Sequence, residues 1–172
     1  MSDDRRPAIL VGRPGAPRAL RYGPMQLRQI MTSGVVTAAL DADVLKVAQL
    51  MRDHNVGSVV LCDPEGEPAA MITDRDLAIR ALAEDRPGSE PAREHASRPL
   101  VTGEPDMDLE EAAALMVQHR IRRLPVVDGD ELAGIVTLDD IAVRTGNLEV
   151  AQRMNQEVIE GALPGFFFHE RG

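Results

Sequence analysis

The sequence predicts an α/β protein of the α+β kind: two pseudo-symmetric repeats followed by a C-terminal helix. Each repeat is expected to be a small, mostly antiparallel sheet packed with two helices. Three observations predict this. Residues 118–140 read as a strand, a tight turn with Gly129 between Asp128 and Asp130, a second strand and a helix start at Thr137. The same pattern occurs earlier: Val36-Thr37 recurs as Val101-Thr102, Leu50-Met51 as Leu115-Met116, His54 as His119 and Asp63 as Asp128, always 65 residues on. After the turn the offset falls to 64, carrying Thr73 to Thr137 and Asp76 to Asp140. The missing residue lies in a hairpin turn, where length varies most easily, so this is a true internal repeat. Two copies suggest a pair in which each covers the apolar face of the other.

Residues 1–24 hold four Pro, three Gly and five Arg with little apolar periodicity, the composition of a flexible arm. The first repeat is placed at 25–86, opening with a helical turn at 27–32 and a short strand at 35–37. Apolar residues at 44, 47, 48 and 51 have the one-face spacing of a helix over 44–54, with Asp41 or Asp43 as its cap. Strands at 58–62 and 69–72 flank a Pro64-Glu65-Gly66 turn, and a helix follows from Asp74 to about Glu84. Pro87, Gly88 and Pro91 mark the linker that leads into the second repeat, placed with it at 87–145. There Leu109, Ala112, Ala113 and Met116 repeat the helical spacing, with Asp106 or Asp108 as cap. Met51 and Met116 read as core filler. Residues 146–172 leave the repeat: a helix over 148–160 aligns Val150, Met154 and Val158, and Gly161 and Pro164 end it. Phe166, Phe167 and Phe168 are expected to dock on the body or on a second subunit.

With 172 residues, 44% of them apolar and 27% charged, the chain suits one compact domain or two small fused units. No apolar run reaches the ~18 residues of a membrane span. The N-terminus carries no apolar signal segment, which predicts a cytoplasmic protein. The single cysteine, Cys62, agrees with a reducing compartment. Net charge is −9 although residues 1–24 are basic, so the body is strongly acidic and nonspecific nucleic-acid binding is not expected. With no Trp, one Tyr and three Phe, stacking platforms for single strands are scarce.

Thr73 with Asp76, and Thr137 with Asp140, stand where a strand passes into a helix. Thr-x-x-Asp by itself is a capping box and needs no ligand. It also places a hydroxyl and a carboxylate side by side. In the first copy the surrounding motifs are Val56-Gly57-Ser58-Val59-Val60 and Ile72-Thr73-Asp74-Arg75-Asp76. In the second they are Arg123-Leu124-Pro125-Val126-Val127 and Gly134-Ile135-Val136-Thr137-Leu138-Asp139-Asp140. Together they resemble a tandem pair of cystathionine beta-synthase (CBS) domains, a Bateman module, over about residues 25–145. The chain is more similar to the small stand-alone bacterial members, including the hypoxic-response type, than to pairs fused to enzymes or channels.

The resemblance implies clefts between the copies that bind AMP, ADP, ATP or S-adenosylmethionine, with no cofactor required. It implies that Asp76 and Asp140 bond the ribose hydroxyls and that Thr73 and Thr137 lie near the phosphate. Thr37, Val56 and Thr102 complete the implied ligand-binding set. The chemistry agrees: a carboxylate accepts from two vicinal hydroxyls, and a helix N-terminus favours phosphate. Arg75, Arg120, Arg122 and Arg123 are candidate phosphate contacts, because the guanidinium donates two bonds from one plane. In an acidic protein the same arginines equally suit a solvated or salt-bridged surface. Ala70 stands where the family has Gly, so its methyl is expected to crowd a ligand in the first cleft, and the second cleft is the better match.

No nucleophile–base–orienter set and no Walker-type glycine loop is present, so an enzyme is not expected. No Cys/His spacing fits a structural zinc site. His54 and His119 read as charges at helix ends, and Cys62 as inert. The leading reading is a non-enzymatic ligand sensor that forms a homodimer and is read by an unknown effector protein. The alternative is a structural or stress-related interaction dimer with vestigial clefts. A zinc-linked redox role is suggested by the hypoxic-type likeness alone, and a single cysteine weakens it.

Overall fold

The computed structural model describes residues 25–145 and Gln156. The expected arm at 1–24, the helix expected over 148–160 (Gln156 apart) and the Phe triplet lie outside the described residues. No helix among the described residues is long and apolar enough to cross a membrane.

The first copy contains β1 (Thr37–Ala39), α1 (Val44–His54), β2 (Ser58–Cys62), β3 (Pro68–Thr73) and α2 (Asp74–Asp76), which runs on as a π-helical segment, Leu77–Leu82. The second contains α3 (Leu109–His119), β4 (Arg123–Asp128), β5 (Glu131–Thr137) and α4 (Leu138–Thr145). The long helices are amphipathic as their spacing predicts: Val44, Val47 and Met51 are buried on α1, and Leu109, Ala112, Ala113 and Met116 on α3. Asp43 caps α1 by accepting from the Lys46 N–H at 2.8 Å, and Asp108 caps α3 by accepting from the Glu110 N–H at 2.8 Å. Each helix ends on a left-handed residue, Asn55 at φ 53° and Arg120 at φ 55°.

In the first sheet β1 runs parallel to β2, and β2 pairs antiparallel with β3. Val59, Val60 and Leu61 are buried without alternation, as in a strand covered on both faces. The β4–β5 hairpin repeats the β2–β3 pairing, and an irregularity falls at the same place in both, after Leu61 and after Val126.

Three boundaries depart from the sequence reading. The first strand begins at Thr37 instead of ending there, because its ladder runs from the Val36 carbonyl to the Leu40 N–H, which donates to Cys62 O at 2.7 Å. The second copy has no counterpart strand. Gly103 alone bridges Val126, and the residue equivalent to Leu40 is Pro105, which has no N–H to extend the ladder. The helix from Asp74 stops at Leu82 and widens from Leu77, with the Ala83 N–H reaching back five residues to Ala78 O at 3.0 Å. Six residues are too few for apolar spacing to distinguish that winding from an α-helix.

The copies exchange their leading segments. The 3-10 turn Leu27–Gln29 precedes the first sheet, yet Leu27 and Ile30 are buried in the second core with Leu109, Met116, Leu124 and Val136. Thr32 and Ile135 exchange backbone bonds at 2.9 and 3.0 Å. Sixty-five residues on, the 3-10 turn Ala92–Glu94 packs on the first copy, with Ala92 in the core of Val47, Val59, Leu61 and Ile72. The Ser97 N–H there donates to Met71 O at 2.9 Å, the counterpart of the Thr32–Ile135 bridge. The mutual covering expected of two copies takes this crossed form.

The crossing also explains the glycine that Ala70 replaces. A β-carbon at Gly134 would lie 2.9 Å from Met31 Sδ and 3.0 Å from the Thr32 carbonyl. The glycine therefore admits the crossing segment. In the first copy that segment presents Ala96 where the other presents Met31, and Ala70 is fully buried in the core beneath it. The Ala70 methyl is packed against protein, so its expected crowding of a ligand finds a different neighbour.

Candidate functional site

Each Thr-x-x-Asp motif sits where a strand of its hairpin turns into a helix. The Thr73 N–H and hydroxyl both donate to Asp76 Oδ2, at 3.0 and 2.7 Å, while Thr73 Oγ1 accepts from the Asp76 N–H at 3.2 Å. The second motif has the same geometry: Thr137 N–H and hydroxyl to Asp140 Oδ2 at 2.8 and 2.6 Å, and Asp140 N–H to Thr137 Oγ1 at 3.1 Å. One carboxylate oxygen of each aspartate thus satisfies the helix end. In the first copy Asp76 Oδ1 also lies 3.5 Å from Arg80 Nη1.

Cross-strand pairing places Ser58 beside Thr73, and Arg123 beside Thr137. The copies meet at Gly57. A β-carbon there would stand 3.1 Å from Arg123 Nη2 of the second copy and 3.3 Å from Asp74 Oδ2 of its own. Arg123, half-buried at the start of β4, is thus the predicted arginine that reaches across to the first motif. Val56 is half-buried one residue before Gly57, its N–H bonded to Met51 O at 2.9 Å. Thr37 is exposed at the start of β1, paired with Val60, and Thr102 is half-buried just before Gly103. Of the other three, Arg75 lies within the first motif and the Arg122 carbonyl accepts from the Leu138 N–H of the second at 3.2 Å, but among the described residues none of their guanidinium groups bonds to a motif side chain. Arg75 and Arg122 are exposed, and Arg120 is the exposed left-handed terminator of α3.

Sequence reading passed over four residues here. Gly57 and Asp74 were visible inside the quoted motifs, but a contact across copies has no local signal. Arg80 and His95 are the others. Arg80 Nη1 donates to the His95 carbonyl at 2.9 Å as well as facing Asp76. His95 is 4% exposed, the buried charged-type side chain among the described residues, and its Nε2 lies 2.9 Å from Glu90 Oε2. Arg86 Nε donates to that same oxygen at 3.2 Å. A polar chain thus joins Asp76 to the crossing segment.

Cys62 ends β2, half-buried. Burial, with Asp63 beside it, pushes its thiol up, away from the thiolate form. Among the described residues no group of three or more His, Cys, Asp or Glu is arranged to hold a metal ion.

A family model described as CBS domain matches residues 27–82 and 92–144, so each match begins at a crossing segment. CBS domain-containing protein YhcV of Bacillus subtilis is 43% identical over 125 residues, covering 73% of this chain and 89% of that protein. Hypoxic response protein 1 of Mycobacterium tuberculosis is 34% identical over 116 residues, covering 67% of this chain and 81% of its own length. The similar solved structures include proteins bound to adenosyl ligands. CBS domain protein PAE2072 from Pyrobaculum aerophilum, complexed with AMP, superposes with a TM-score of 0.66 at 27% identity, covering 74% of this chain and 99% of that one. The CBS domain pair of protein MJ0100, in complex with 5'-methylthioadenosine and S-adenosyl-L-methionine, has a TM-score of 0.65 at 27% identity, covering 72% and 97%.

Proposed function

The chain belongs to the CBS domain family as a tandem pair, and from that premise we propose that it is a non-enzymatic, cytoplasmic sensor of adenine nucleotides or related adenosyl ligands. The observation that carries this reading is the twice-built Thr-x-x-Asp corner, with Arg123 reaching from one copy to Gly57 of the other. Each corner leaves one carboxylate oxygen clear of the cap, suited to ribose hydroxyl donors. Arg123 supplies a planar cation at the junction of the copies. The relatives solved with AMP, 5'-methylthioadenosine and S-adenosyl-L-methionine support the ligand class.

In this reading Asp76 and Asp140 hold ribose, and Thr73, Thr137 and Arg123 face the ligand's tail. Thr37, Val56 and Thr102 line the clefts, while Arg75, Arg120 and Arg122 act at longer range. Ligand bound across the junction favours one arrangement of the copies over another, and an effector protein reads the shift. The protein acts as a homodimer. Ile79 and its counterpart Val143 are 48% and 77% exposed, and Leu82 is 79% exposed, so both copies present apolar helix surface to a partner.

A thermal-shift panel of AMP, ADP, ATP and S-adenosylmethionine tests the proposal. A ligand at one hundred times its dissociation constant stabilises by about 2.7 kcal/mol, which raises Tm by several degrees. No shift with any of the four would refute it.

A further inference from the structure

Building on the reading of the clefts as adenosyl sites, we infer that the two differ in the ligand charge they accept. The first takes an adenosyl ligand whose tail carries both a cationic and an anionic group, and the second takes an anionic tail. The determinant in the first is Asp74 facing Arg123 across Gly57.

Arg123 Nη2 and Asp74 Oδ2 lie 3.1 and 3.3 Å from the position of a Gly57 β-carbon. They form no ion pair with each other, and among the described residues neither has another charged partner. Asp74 Oδ1 is held by the Arg75 N–H at 2.8 Å, which fixes the carboxylate at the edge of the first motif. A cation and an anion therefore face one bare stretch of backbone, immediately beside Thr73. A polyphosphate drawn to Arg123 would meet the Asp74 carboxylate at the same place. A tail bearing an ammonium and a carboxylate satisfies both, the ammonium on Asp74 and the carboxylate in the fork of Arg123.

The second copy keeps the backbone frame and changes the charges. The Asp74 N–H donates to Gly57 O at 3.2 Å, and the equivalent Leu138 N–H donates to Arg122 O at 3.2 Å. Asp74 is replaced by buried Leu138, Gly57 by Arg122 and Arg123 by Ser58. Between the two, the carboxylate is lost and the guanidinium passes from Arg123 to Arg122, which leaves the second cleft without the group that repels phosphate. Arg75 and Asp139 differ in the opposite sense, but they and Arg122 are exposed and water screens all three, so the lost carboxylate is what distinguishes the second cleft. Asp74 is exposed too, so its effect through contact with Gly57 is a matter of severalfold.

The test is calorimetry on the full chain carrying Asp140→Asn, which weakens the second cleft while keeping an acceptor for the α4 cap. S-adenosylmethionine, AMP and ATP are titrated without divalent cation. S-adenosylmethionine should bind more tightly than ATP, and adding Asp74→Asn should raise the ATP affinity about threefold or more while lowering that for S-adenosylmethionine. Melting curves establish that each variant is folded, and Asp74→Leu, which copies the second cleft, serves as an independent variant. An unchanged ratio of the two affinities in both Asp74 variants, or ATP binding more tightly than S-adenosylmethionine before Asp74 is altered, would overturn this inference and leave the adenosyl reading standing. No binding of any probe, even to the unsubstituted chain, would overturn both.

Discussion

Replacing Gly134 by alanine tests whether the crossing segment dictates residue size at the sheet it covers. The new methyl would meet Met31 Sδ at 2.9 Å, Met31 Cγ at 3.0 Å and the Thr32 carbonyl at 3.0 Å. The Met31 side chain can turn aside, but the carbonyl is tied by the Ile135 N–H at 3.0 Å, so the backbone ladder must shift. Overpacking of this kind costs about 1–3 kcal/mol. Gly134 has no positive φ, so alanine recovers about 0.5–1 kcal/mol through its lower unfolded-state entropy. The net loss is centred on ~1 kcal/mol, a fall in Tm of roughly 2–4 °C for a chain of this size. Urea melts followed by circular dichroism measure it. Adding Met31→Ala reproduces the Ala96 and Ala70 pairing of the first copy, so the two substitutions should couple favourably by about 1 kcal/mol. Strictly additive effects, or a Gly134→Ala chain as stable as the parent, would refute the argument.

Asp140→Ala should lose about 1.5–3 kcal/mol of nucleotide binding by calorimetry and about 1 kcal/mol of stability, because the same carboxylate caps α4. Asp140→Asn should keep most of the stability and still weaken binding. Arg120→Asn should stabilise the chain by about 1 kcal/mol in a thermal melt, since a left-handed arginine at φ 55° is replaced by the residue type that ends α1. A simultaneous loss of ligand affinity would mark the Arg120 side chain as a ligand contact. Light scattering at micromolar concentration should give a dimeric mass, and Ile79→Asp with Val143→Asp should reduce it to that of a monomer; a monomeric parent would dismiss the proposed interface.

Local patterns were sufficient for the elements that are set locally. The spacing of Val44, Val47 and Met51 predicted α1 with its observed limits, and Thr-x-x-Asp predicted both helix caps. The 65-residue offset with its single gap predicted the duplicated hairpins, and the motifs within them pointed to the family. These features depend on residues a few positions apart, so their physics is written in short stretches of chain. The rest required the packed structure. No local signal indicates that Leu27 and Ile30 leave their own copy for the second core, because an apolar turn is compatible with either surface. The fate of Pro105 depended on which ladder it would join, and the role of Gly134 on Met31, which is far from it in sequence. The same holds at the candidate site. The sequence presented four arginines of equal standing, and only the meeting of the copies at Gly57 singled out Arg123 and set Asp74 beside it, because contacts between distant segments are determined by burial and register across the whole fold.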